Sequence, residues 1–135
     1  MRDYARLQTA ILLRRLAYQL NHAAHHSDAD SIHDVRVAIR RLSRCLRVFA
    51  PFFPNDSWKK IRRQLAELME AAGRVRDRDI ALQLLAEAGS PPRAGVATRL
   101  AAERRKASRE LLFEIRRWKS RNFSRKWRSR LELSA

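Results

Sequence analysis

Apolar residues along this chain recur in steps of three and four, the spacing that builds one buried face on a helix. A first helix is expected from about Asp3 to Asn21, with Leu7, Ile11, Leu12, Leu16 and Leu20 inward, fading into a polar break at His22–Ser27. Asp28 to Ser31 supplies cap candidates for a second helix, about Ser31 to Phe49. Its seam, Ile32, Val35, Ile39, Leu42, Leu46, Phe49 and Phe53, is the clearest in the sequence. Pro51 and Pro54 end it, and Asn55, Asp56 and Ser57 offer the next cap. A third helix follows from about Ser57 to Ala72, with Trp58, Ile61, Leu65, Leu68 and Ala72 inward. Gly73 interrupts it as a C-cap or a kink. Val75, Ile80, Leu82, Leu84 and Leu85 then continue it or form a fourth helix to about Glu87. A loop is expected at Ala88–Pro92. The last long helix should run from near Arg93 to at least Trp118, with Val96, Leu100, Leu111, Ile115 and Trp118 inward. Four or five helices with short connections predict an all-α, up-and-down bundle over residues 1–118, followed by a basic, aromatic C-terminal extension over 119–135.

Composition fits one helical domain: 135 residues with only 3 Gly and 4 Pro. No apolar run reaches the roughly 20 residues that cross a bilayer. A charged N-terminus without an apolar signal segment gives a cytoplasmic expectation. The single cysteine, Cys45, cannot form an intramolecular disulfide, which fits a reducing compartment. Charge changes the picture more. The formal net charge is +16, and 25 of the 30 bases are Arg. Arg presents a planar fork that matches phosphate oxygens, so a polyanionic partner is implied. A GC-rich genome would raise the Arg:Lys ratio by itself, but would not suppress acids to this extent.

On the second helix His33, Arg36, Arg40, Arg44 and Arg47 line one stripe, displaced by about 100° from the apolar seam. Arg41 sits beside them. After Asp34 no acid occurs before Asp56. A solvated helix normally intersperses acids with its bases, so an unpaired stripe calls for an anion. His33 admits two readings: a structural imidazole bonded to a backbone carbonyl, or a phosphate donor whose protonation strengthens the site as pH falls. A second cluster follows at Gly73, Arg74, Arg76, Asp77, Arg78 and Asp79. There Asp77 and Asp79 are expected to hold Arg side chains in place, orienting Arg76 toward a ligand.

The segment Ile32-His33-Asp34-Val35-Arg36-Val37, continuing through Arg40-Arg41-Leu42, resembles the opening signature of the CHAD family, the conserved-histidine α-helical domains. Gly73-x-x-Arg76-Asp77-x-Asp79-Ile80 is similar to that family's next signature, about forty residues on. The resemblance implies an all-helical fold and binding of inorganic polyphosphate along a basic helix-lined cavity, association with polyphosphate granules, and no catalysis by the domain itself. Carried onto this chain, it assigns His33, Arg36, Arg40 and Arg41 to the first signature and Arg76, Asp77 and Asp79 to the second. Arg44 and Arg47 join the candidate polyphosphate-binding residues from the stripe, with Lys59, Arg62 and Arg63 at the start of the third helix. Asp34, Asp77 and Asp79 are the supporting acids. Family members usually contain two related halves, and the second-half signature is missing here, since no His follows His33. The resemblance therefore covers about residues 1–117. The chain reads as a half-length relative or a fragment, and a homodimer could restore the missing wall of the cavity.

Other chemistry finds less support. From Arg93 to Arg130 there are 14 bases and 3 acids. Trp118, Phe123 and Trp127 lie among those bases, which suits single-stranded nucleic acid, an anionic membrane surface, or simple packing onto the bundle. His22, His25 and His26 have the spacing to grip a metal but lack further ligands, so no metal is expected. There is no Gly-rich phosphate loop and no nucleophile–base pair, and the acids are too scattered to hold Mg²⁺. The chain is read as a binding protein without a cofactor. The alternatives to polyphosphate are nucleic acid and a dimeric scaffold that recruits other proteins.

Overall fold

The computed structural model describes residues 1–88 and 94–133. Residues 89–92 of the expected loop, and Arg93 at the expected start of the last helix, lie outside the described residues. The elements are α1 (Arg2–His25), α2 (Ala29–Val48), a short 3-10 turn (Ala50–Phe52), α3 (Ser57–Glu87), α4 (Ala94–Ser120) and α5 (Phe123–Arg130). Each long helix packs on the next, α4 returns to α1, and α5 lies against α1 and α4. The fold is the expected all-α up-and-down bundle.

The α2 seam is buried along its length: Ile32, Val35, Ile39, Leu42 and Leu46 are each 2% exposed or less. They meet Leu13, Leu16 and Leu20 of α1, Ile61, Leu65 and Leu68 of α3, and Leu111 and Ile115 of α4 in one core. On α1 the expected inward face was rotated. Leu7 is 58% exposed, and the buried face runs through Ala5, Thr9, Leu13, Leu16 and Leu20. Apolar residues nearly encircle α1, so its own pattern does not select a face and packing on α2 does. Most of the polar break also proves to be helix: α1 continues to His25, with Ala23 buried, and only His26 and Ser27 of the break leave it.

At Gly73 the outcome is continuity. The glycine is neither a C-cap nor a terminus, and α3 runs through it for 31 residues. At 1.5 Å per residue α3 is about 46 Å long against about 30 Å for α2. The α3–α4 pair therefore projects past the rest of the bundle. Among the described residues, Val75 is the last buried one of α3 and Ala107 the first of α4.

The segment after Ser120 is corrected from an extension to part of the bundle. Asn122 adopts a left-handed conformation (φ 51°), which Asn tolerates better than most residues, and turns the chain back into α5. Phe123, Trp127 and Leu131 then join the core. Asn55 Nδ2 donates to the Arg130 carbonyl at 3.2 Å, and Arg6 pairs with Glu132 at 3.5 Å.

At the start of α2, Asp28 Oδ1 accepts from the Ser31 N–H at 2.8 Å. That backbone bond, helped by the Ser31 hydroxyl and more weakly by His22 and His26, holds the Asp28 carboxyl below its ordinary value. A depressed carboxyl contributes stability above its unfolded value and loses it as pH falls through the folded value. Asp28→Ala is thus expected to lower stability at neutral pH, with the difference from wild type closing in strong acid, as read by urea melts across pH. A Cβ added at Gly73 meets nothing within 4 Å. Gly73→Ala is expected to stabilise the fold by about 0.5–1 kcal/mol in the same melts, because Gly loses more backbone freedom in a helix.

Candidate anion-binding groove

Because α2 buries its seam, the stripe one residue out of register is turned to the bundle surface. His33, Arg40, Arg44 and Arg47 are exposed, and Arg36 is partly buried. Arg40, Arg44 and Arg47 line a groove of about 360 Å³ with Arg62 of α3, over Ile39, Ala66 and Met69. Arg62 Nε donates to the Ser43 hydroxyl at 3.1 Å, which fixes the register of the two helices. The lining residues of α3 are spaced four and three apart, and the same progression continues through Gly73 to Arg76. Since α2 and α3 are joined by a short connection and run antiparallel, Arg76 lies toward the end of α2 that carries His33 and Arg36. Arg76 of the second signature thus falls on the groove side of α3, in line with the lining residues.

None of the stripe bases has a carboxylate partner among the described residues. Ion pairs collect instead between α3 and α4, as Arg74–Glu110 at 3.9 Å and Arg78–Glu103 at 3.6 Å. The Nε of Arg36 is buried without a hydrogen-bond partner, a donor that an anion could satisfy. Arg76 is partly buried and also unpaired among the described residues. His33 is exposed and makes no hydrogen bond to a backbone carbonyl among the described residues. Asp34 and Asp77 are exposed.

Some expected members stand apart. Arg41 lines a neighbouring groove, against α1 with Tyr4, Leu12 and Phe49, which Arg44 also borders. Arg63 and Lys59 do not line the α2–α3 groove, and Lys59 lies 5.6 Å from the Trp58 ring. Cys45 packs beneath α1, 3.4 Å from the Thr9 hydroxyl, and burial pushes its thiol up.

The expected role of Asp79 also needs correction. It does not orient Arg76; it holds Arg104 of α4, whose Nε donates to Asp79 Oδ1 at 2.7 Å. The same guanidinium donates through Nη2 to the carbonyl of Ser27, in the turn between α1 and α2. One arginine therefore ties three parts of the bundle together at the base of the projecting α3–α4 pair. Sequence spacing could not reveal this, because the partners are 25 and 77 residues apart. Both side chains are largely shielded, so Asp79→Ala is expected to cost about 1–3 kcal/mol by leaving Arg104 Nε without its carboxylate. Asp77→Ala, at an exposed site, should shift stability by less than about 0.5 kcal/mol. Parallel urea denaturation of the two variants checks the contrast.

No curated protein and no solved structure matches the chain. A family model described as the CHAD domain matches residues 8–135. The match takes in both signatures and continues beyond residue 117, through the segment that packs as α5. CHAD domains are associated with polyphosphate binding in general. With the match covering essentially the whole length, this chain belongs to the CHAD domain family.

Proposed function

We propose that the α2–α3 groove binds inorganic polyphosphate and that the chain acts as a binding module rather than a catalyst. The observation that carries this reading is the gathering of Arg40, Arg44, Arg47 and Arg62 around one groove with no acid to neutralise them. Arg36 and Arg76 prolong the same cationic track. A flexible polymer with a charge on every phosphate suits a track of forks set a helical turn apart, because each guanidinium can grip successive oxygens without a shaped pocket. Association with polyphosphate granules would follow from that affinity.

Nucleic acid is the competing polyanion. Stacking successive bases would need a row of open aromatic faces, whereas Phe123 and Trp127 are only 8% and 3% exposed and Trp118 alone of the three is partly uncovered. Long-chain polyphosphate is therefore expected to displace RNA at equal phosphate concentration, and the reverse exchange to be inefficient; RNA prevailing would overturn the assignment. Arg40→Glu combined with Arg44→Glu should weaken polyphosphate binding at least tenfold, about 1.4 kcal/mol. Arg14→Glu with Arg15→Glu, the same change of charge on exposed α1, should weaken it much less. Equal losses in a titration at fixed salt would mean that net charge, not the groove, binds the polymer.

The reading extends to a homodimer. The projecting α3–α4 arm leaves Leu84 60% and Val96 42% exposed. Residues 80–102 carry only Glu87, Arg93 and Arg99 as charged groups, so two strongly basic chains could meet there with little repulsion. A dimer that Leu84→Glu dissociates in light scattering is the expected result, and a monomer at high micromolar concentration would remove this part of the proposal.

A further inference from the structure

A second recess lies on the far side of α3. Its α3 wall is Lys60, Gln64 and Glu67, each two residues away from the groove-lining set Arg62, Ala66 and Met69. Two residues are about 200° of helical rotation, so the recess and the groove face opposite ways. The remaining walls come from the end of α4 and from α5. Trp118, Phe123 and Trp127 supply an aromatic side, with ring centroids 5.1–5.2 Å apart. Phe123 and Trp127 are buried by packing, whereas Trp118 is only partly buried. Exposed cations, Lys60, Arg121, Lys126 and Arg130, stand around the opening.

This mixture differs in kind from the groove. A bare phosphate chain offers acceptors only and is best met by donors alone. Here the wall also holds the Glu67 carboxylate and Gln64, whose Oε1 is buried without a hydrogen-bond partner and reaches a ligand in the recess when the side chain rotates. Turning the Gln64 amide over would leave a donor in the same place, so in either orientation a polar group awaits a partner. The ligand that fits is planar, to lie against Trp118, carries hydrogen-bonding groups on one edge, and bears phosphates. An adenine edge presents both a donor and an acceptor to a glutamine amide. The open recess, of about 190 Å³, is smaller than the roughly 300–1,000 Å³ that surrounds a whole drug-sized ligand. It suits the base, with the charged end left among the cations at the opening.

We propose that the recess between α3, α4 and α5 binds a purine mononucleotide, its base against Trp118 and Gln64 and its phosphates among Lys60, Arg121 and Lys126. The site is separate from the groove assigned to polyphosphate and stands whether or not that assignment holds.

The test is a titration of the full chain with ATP, read by tryptophan fluorescence and by calorimetry, alongside inorganic tripolyphosphate at matched ionic strength. ATP is expected to quench Trp emission and bind at least tenfold more tightly than tripolyphosphate. Gln64→Leu should bring ATP down to the tripolyphosphate level, and Lys126→Glu, at an exposed position that does not endanger folding, should weaken ATP severalfold. Arg40→Glu with Arg44→Glu should leave ATP binding in place. In the chain carrying Arg40→Glu and Arg44→Glu, where the groove is disabled, tripolyphosphate binding as well as ATP would overturn the proposal, because the base would then contribute nothing. ATP binding lost with the Arg40 and Arg44 changes but kept in Lys126→Glu would place the nucleotide in the groove instead. A single-stranded oligonucleotide that gains affinity with each added base, and excludes ATP, would make the surface a nucleic-acid track and equally overturn it.

Discussion

Fourteen carboxylates cannot neutralise thirty bases, and their distribution decides what the surface of this bundle can do. Most of the ion pairs collect between α3 and α4, where Glu110, Glu103 and Asp79 meet Arg74, Arg78 and Arg104. None reaches the α2 stripe. The five arginines of α2 therefore stay unmatched among the described residues. Its apolar seam must overcome that repulsion, and the nearly complete burial of Ile32, Val35, Ile39, Leu42 and Leu46 is the counterweight. An anion bound along the stripe would relieve the repulsion and stabilise the folded chain by linkage.

The second signature owes its place to architecture as well as to chemistry. Asp79 receives Arg104, and Arg104 reaches the Ser27 carbonyl, so this point joins α3, α4 and the turn that launches α2. The Asp28 cap follows immediately. Together they set where α2 begins and hence the height at which its arginines meet Arg62 and, further along, Arg76. Residues that look like ligand-binding positions in a motif can thus serve the site by fixing the helices that carry it.

Helix α3 separates two environments of opposite design. One side offers arginine forks over an apolar floor, suited to a polymer of phosphates. The other combines cations, aromatic rings and an unsatisfied amide oxygen, which only a ligand of mixed character matches. Folding α5 back onto α4 creates the second environment, since Phe123 and Trp127 complete its wall while anchoring the chain end in the core.

The sequence by itself determined the helices, the α2 seam, the offset basic stripe and the strong positive charge, because periodicity and charge are local properties that a few turns of chain express. It also made the family legible through His33-Asp34-x-Arg36 and Arg76-Asp77-x-Asp79. Tertiary structure alone decided which side of α1 faces inward, that α3 runs through Gly73, and that the last seventeen residues include a helix packed into the bundle. It also separated Arg41 from Arg40 and gave Asp79 to Arg104 rather than to Arg76. Each of these depends on groups brought together across the chain, such as Ser43 with Arg62 or Ser27 with Arg104. Such pairings depend on how whole helices pack, and no local spacing specifies them.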